Sequence, residues 1–160
     1  MTGQLTLPRP LVDRGVSESV LHFVRPVIGF PLSTMYSLHS LGEAYAPFAA
    51  LTSLDEEGLT FVVVAPGLLF ADYVLEVPEP DVALLGLGSA EDADVLGLVT
   101  RRKGLSPTVN LLGPVVVDRR TGSALQVVLQ DSAYRVDVPV DGVTALAGDA
   151  PGASSWRRGA

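Results

Sequence analysis

The chain offers few residues able to do bond chemistry. It has no cysteine and only two histidines, His22 and His39. A zinc-type site would need both histidines to converge with a carboxylate, and their spacing on two separate early strand candidates does not require it. Without cysteine there is no disulfide, thiolate metal site or cysteine nucleophile, which fits a reducing compartment. A serine nucleophile on a Gly-x-Ser-x-Gly turn is also missing. Gly86-Leu87-Gly88 opens like a dinucleotide fingerprint, but the third glycine position holds Glu91. A carboxylate there would repel a pyrophosphate, and no long helix follows. The carboxylate pairs Asp92/Asp94 and Glu76/Glu79 fall in links, where solvated charge is the simple reading. No catalytic constellation emerges. The expectation is a protein that is not an enzyme and takes neither cofactor nor metal.

Charge points to protein partners. Acidic residues outnumber basic ones 18 to 11, for a net charge of −7. Direct binding to nucleic acid is disfavoured, because phosphate contacts need Lys and Arg. A basic partner is favoured, since complementary charge speeds encounter. Arg101-Arg102-Lys103 reads as a solvated basic turn, and Trp156-Arg157-Arg158 as part of a flexible tail. Asn110 opens a strand, four residues before Pro114. Its amide either ties down a turn through nearby backbone or serves the surface.

These residues must be positioned by strands. Thr108 to Val117 and Ala124 to Leu129 are rich in Val and Leu, and Asp118 to Ser123 links them. Branched side chains pack well on a pleated surface, and Gly122 supplies the positive φ that such a link needs. Tyr134, Val136, Val138 and Val140 then alternate with polar residues, predicting a third antiparallel strand. Pro47–Leu54 and Leu59–Ala65 form a second hairpin candidate around Asp55-Glu56-Glu57-Gly58. Phe61 to Ala65 lacks polar alternation, so it is expected to be buried on both faces. Further strands are predicted at Val20–Val24, Met35–Leu41, Tyr73–Val77 and Val95–Thr100, with an edge strand at Gln4–Leu7. Gly29 and Pro31 mark a turn, Pro78–Asp81 reads as a surface link, and Ser89 caps a short helical turn.

About nine short strands with at most one or two helical turns imply an all-β fold, a small antiparallel barrel-like single domain. The domain is expected over residues 1–144, with a tail over 145–160. The N-terminus lacks a signal-peptide core. The longest apolar run is far short of the roughly 20 residues a membrane span needs, so a cytoplasmic, soluble protein with no membrane partner is expected.

The organising stretch also carries a family resemblance. Thr108-Val-Asn-Leu-Leu-Gly-Pro-Val-Val-Val, then Gly122 and Gln126-Val-Val-Leu, resembles signatures of the flagellar assembly factor FliW family. Ile28-Gly29-Phe30-Pro31 is similar to that family's early GF-P turn. Phe48 to Ser53 is similar to its F-x-x-L-Q-S strand, with Thr52 in place of glutamine. Phe61-Val-Val-Val-Ala-Pro66, Phe70 and Asp72-Tyr73 resemble its F-V-V-x-D-P-x-x-F-x-x-D-Y block, with Ala65 in place of aspartate. These blocks occur in the family's order from Val27 to Leu129.

The resemblance implies a non-enzymatic cytoplasmic β-barrel that binds flagellin and the carbon storage regulator CsrA. Binding would stop CsrA from repressing flagellin translation until flagellin draws the factor away. It further implies partner-binding residues among Ser53, Phe70, Asp72, Tyr73, Glu76, Asn110, Leu111 and Gln126. Phe70, Tyr73 and Leu111 have the character of core. Acidic side chains around Asp55, Glu56, Glu57, Asp72 and Glu76 would present negative potential to CsrA, and strand edges would offer pairing to an extended segment. The alternative is a small-ligand-binding barrel or an enzyme with a site at the barrel mouth.

Overall fold

The computed structural model describes residues 18–129 and 133–140. The strand expected at Gln4–Leu7 and the tail after Val143 lie outside the described residues.

Nine strands are present among the described residues: β1 (Ser19–Phe23), β2 (Met35–Ser40), β3 (Ala49–Ser53), β4 (Thr60–Val64), β5 (Ala93–Thr100), β6 (Thr108–Val109), β7 (Val115–Asp118), β8 (Ser123–Gln126) and β9 (Val138–Pro139). Seven of them close a ring in the order β4-β3-β2-β1-β8-β7-β5, with β5 pairing back to β4. Neighbours in the ring are antiparallel except β1 and β8, which run parallel through His22–Ser123 and Phe23–Ala124. β6 and β9 extend the sheet beyond the end of β5. One seven-residue helix, α1 (Glu79–Leu85), and short 3-10 turns complete the described residues.

Both predicted hairpins are present. Gly58 and Gly122 take φ of +83° and +79° at their turns. A Cβ on Gly122 would sit 2.9 Å from the Val20 carbonyl oxygen, so the turn that feeds the parallel pair has no room for a side chain. β4 is buried on both faces, as its unbroken apolar run predicts. Phe61 and Val63 face the barrel interior, whereas Val62 and Val64 belong to an outer cluster. The interior holds Phe23 edge-on to Tyr36 and Phe30 edge-on to Phe61, with ring centroids 5.1 and 5.0 Å apart.

Two outer clusters explain the burial of the wall. The connection after β4 crosses the outside of the barrel, where Phe70 and Tyr73 pack over Val62, Val64 and Val99. Leu75, Val77 and Leu85 then pack over Val95, Val116 and Leu125. Each fully buried aliphatic side chain contributes about 1.5–3 kcal/mol, so these connections stabilise the barrel from outside. The end of the barrel holding the N-terminus of β5 contains a buried carboxylate, Asp94, paired with the Arg119 guanidinium at 3.0 Å.

Three expectations change. The third strand of the C-terminal unit does not join β8. Only Val138–Pro139 is strand, it pairs with β6, and Val136 is exposed. The neighbour that β8 gains instead is β1, which closes the ring. Tyr73–Val77 keeps its alternation, with Leu75 and Val77 buried, but stays outside the ladder because its apolar face lies flat on the barrel wall. Pro78–Asp81 is the cap and first turn of α1, with proline at its start, Glu79 and Asp81 complementing the helix N-terminus, and Gly86 left-handed at its end.

Candidate interaction surface

The residues singled out by sequence fall into three groups. The first is a hydrogen-bonded knot at the end of the barrel. The Asn110 side-chain oxygen accepts from the Leu112 and Gly113 amides at 3.0 and 2.8 Å. Of the two readings of Asn110, turn-tying is the one its contacts display. Gln126 donates to the Gly113 carbonyl at 3.0 Å and accepts the Ile28 N–H at 3.1 Å. A Cβ at position 113 would meet the Gln126 and Asn110 amides at 3.0 and 3.2 Å, so a larger residue there would have to displace both side chains of the knot.

The second group is an aromatic cover. Tyr73 and Tyr134 pack against each other with ring planes tilted by 56° and centroids 4.6 Å apart. The Tyr73 hydroxyl donates to the Leu111 carbonyl at 2.8 Å, and the Val74 N–H donates to the Tyr134 hydroxyl at 2.9 Å. Burial, reinforced by the neighbouring Tyr134, raises the Tyr73 phenol well above its ordinary range. Leu111 is buried, and Phe70 and Tyr73 are half-buried in the same cluster. All three pack as core, as their side-chain character suggests. Asp72 and Glu76, on the same connection, are exposed.

The third group surrounds Ser53. Its hydroxyl meets the buried Ser33 hydroxyl and accepts from the Asp55 and Glu56 amides at 3.1 and 2.8 Å. The Asp55 carboxylate accepts from the Thr34 and Met35 amides at 2.8 and 2.9 Å, and these bonds lower its pKa. Nearby, burial raises the Tyr36 phenol; Ser33 opposes that shift, while Glu56 and Asp55 add to it.

The acidic residues come from two connections: Asp55, Glu56 and Glu57 from the turn before β4, and Asp72 and Glu76 from the connection that follows it. Strand edges are scarce among the described residues: the ring is closed, and the outer edge at the end of the sheet order, β9, carries Pro139, which has no N–H to donate.

Nor do the histidines converge. His22 lies opposite Met35 in β2, four positions from His39 along the same strand, roughly 13 Å. His39 instead meets the Thr52 hydroxyl at 3.1 Å, and Thr52 meets Thr60 at 3.2 Å. Among the described residues no group of three or more His, Asp or Glu side chains could hold a metal ion, and no helix is long and apolar enough to cross a membrane.

Sequence reasoning missed the apolar rim beside the knot. Ile28, Leu32 and Leu54 are 65%, 77% and 56% exposed. The available signal was their position, two flanking the Gly29–Pro31 turn and one adjoining Asp55.

The FliW protein family model matches residues 14–140. The flagellar assembly factor FliW of Bacillus licheniformis is 40% identical over 126 residues, covering 78% of this chain and 87% of that protein. The corresponding factor of Natranaerobius thermophilus is 38% identical over 127 residues, covering 77% and 82%. A solved structure titled as the crystal structure of the flagellar assembly factor FliW superposes with a TM-score of 0.70. It is 22% identical in sequence, spans 76% of this chain and 84% of that one, and supports the fold. The barrel, the ordered motifs and these matches lead to one assignment: the chain belongs to the FliW family of flagellar assembly factors.

Proposed function

We propose that the chain acts in the cytoplasm as a non-enzymatic binding module. It binds flagellin and, by protein–protein contact, antagonises the translational regulator CsrA, coupling flagellin synthesis to secretion. The observation that carries this reading is the family match across residues 14–140. The net charge of −7 supports it, because a regulator that binds RNA must present a basic face.

Of the residues implied by the resemblance, Asp72 and Glu76 are exposed and are proposed as direct contacts. Ser53, Asn110 and Gln126 act by fixing turns, and Phe70, Tyr73 and Leu111 by supporting the segment that carries Asp72 and Glu76. The test is co-purification of the tagged protein from its own cytoplasm, with bound chains identified by mass spectrometry. Flagellin and CsrA in stoichiometric amounts are expected. Recovery of neither from cells expressing both overturns the reading.

A further inference from the structure

Residues 102–106, between β5 and β6, are exposed without a break. The Leu105 N–H donates to the Arg102 carbonyl at 3.1 Å, and Gly104 takes φ of +79°. The tip is therefore a closed turn with Lys103 and Gly104 at its corner. Leu105 is 64% exposed, so the tip stands clear of the barrel wall.

Lys103 is the only lysine in the chain. Other cations are engaged: Arg25 with Asp81, Arg119 with Asp94, Arg120 with Asp92 and Asp118, and Arg135 with Asp137. Arg101 is engaged as well. Arg102 and Lys103 make no ion pair or side-chain hydrogen bond among the described residues. Glu56 and Glu57 reach the same rim, because the start of β4 lies beside the end of β5, yet neither is bonded to the tip.

An amine without a partner is thus held in solvent with an uncommitted guanidinium next to it. A planar guanidinium takes phosphate oxygens two at a time. With a net charge of −7, most of the surface repels a phosphate-bearing molecule and this turn attracts it. Lysine, unlike arginine, is a target of acylation.

We propose that Lys103 Nζ is an acyl-acceptor site, acylated by a small activated donor whose phosphate the Arg102 guanidinium holds. The neutral amine attacks the acyl carbonyl carbon, and an N–C bond forms as the C–O bond to phosphate breaks. Phosphate leaves with the bonding electron pair, and the surplus proton of the amine passes to solvent. The transfer is redox-neutral. An acyl thioester on a phosphate-bearing carrier presents the same chemistry, with a thiolate as the leaving group. The product is a neutral amide, which removes one of three adjacent positive charges and extends the apolar tip begun by Leu105. Nothing in this step depends on the binding-module reading.

In the test, the full chain is incubated with acetyl phosphate and, separately, with acetyl-coenzyme A. Nα-acetyl-lysine amide is present as an amine with no arginine neighbour, and peptide mass spectrometry times both acetylations. Lys103 is expected to react about fivefold faster than the reference with at least one donor, the factor supplied by about 1 kcal/mol for one exposed charge contact. Arg102→Gln is expected to bring the rate down to that of the reference at an unchanged thermal midpoint. An excess with acetyl phosphate alone identifies a free acyl phosphate as the source, and with acetyl-coenzyme A alone a thioester carrier. Chain isolated from its own cells is expected to carry acyl groups on part of its Lys103. Lys103 no faster than the reference with either donor, or an unchanged rate in folded Arg102→Gln, overturns the proposal. So does Lys103 that is bare in cells at every growth phase.

Discussion

Gln126 and Ile28 are 98 positions apart, and the side-chain oxygen of the first accepts the backbone N–H of the second at 3.1 Å. The same amide donates to Gly113, so one side chain on β8 fastens two connections at one end of the barrel. Replacing Gln126 by Leu keeps the bulk and removes both bonds. The exposed Ile28 N–H then turns to water and the part-buried Gly113 carbonyl loses its partner, at about 0.5–1.5 kcal/mol per bond. A lower urea midpoint with an unchanged m-value is expected. An unchanged midpoint would mean that the knot contributes nothing to stability.

A second prediction concerns Gly97 in β5. A Cβ there would lie 2.6 Å from Val109 Cγ2 and 3.2 Å from the Pro66 ring. β6 can therefore pack against β5 only because position 97 lacks a side chain. Gly97→Ala is expected to destabilise by about 1–3 kcal/mol through overpacking, read as a lower thermal midpoint. A midpoint equal to the parent's would show that β6 shifts without cost.

Asp55 gives the fold an acid-sensitive staple. Its pKa is lowered from 3.8, first by the Thr34 bond and then by the Met35 bond. A carboxyl with a depressed folded pKa stabilises above its unfolded value, and that contribution is lost as pH falls through the folded value. Asp55→Ala is thus expected to lower the thermal midpoint at pH 7. The gap to the parent should narrow below pH 3.8. A gap constant across that range would assign the effect to something other than the carboxylate.

The hairpins were legible because each combines period-two or continuous apolar strands with a glycine at a positive-φ turn. Doubly buried β4 was legible because an apolar run without alternation has no solvent face. The ring closure was not, since it depends on two residue pairs between β1 and β8, a hundred positions apart in sequence. Nor did local pattern separate Tyr73–Val77, which lies flat on the wall, from a paired strand. α1 was readable in principle: Pro80 in its first turn, two acids near its start and Gly86 at its end are helix punctuation. For the candidate site, Asn110 and Gln126 were found as motif residues. Their role as turn fasteners depends on Gly113 and Ile28, distant neighbours that only the fold brings together.

The most direct test of the central claim follows RNA, not stability. A labelled flagellin mRNA leader is bound to purified CsrA, and the protein is added in increasing amounts while bound RNA is measured by fluorescence anisotropy. The account predicts that RNA is released as the protein approaches stoichiometry with CsrA, and that flagellin added afterwards restores RNA binding. RNA that stays bound to CsrA at saturating protein would contradict it.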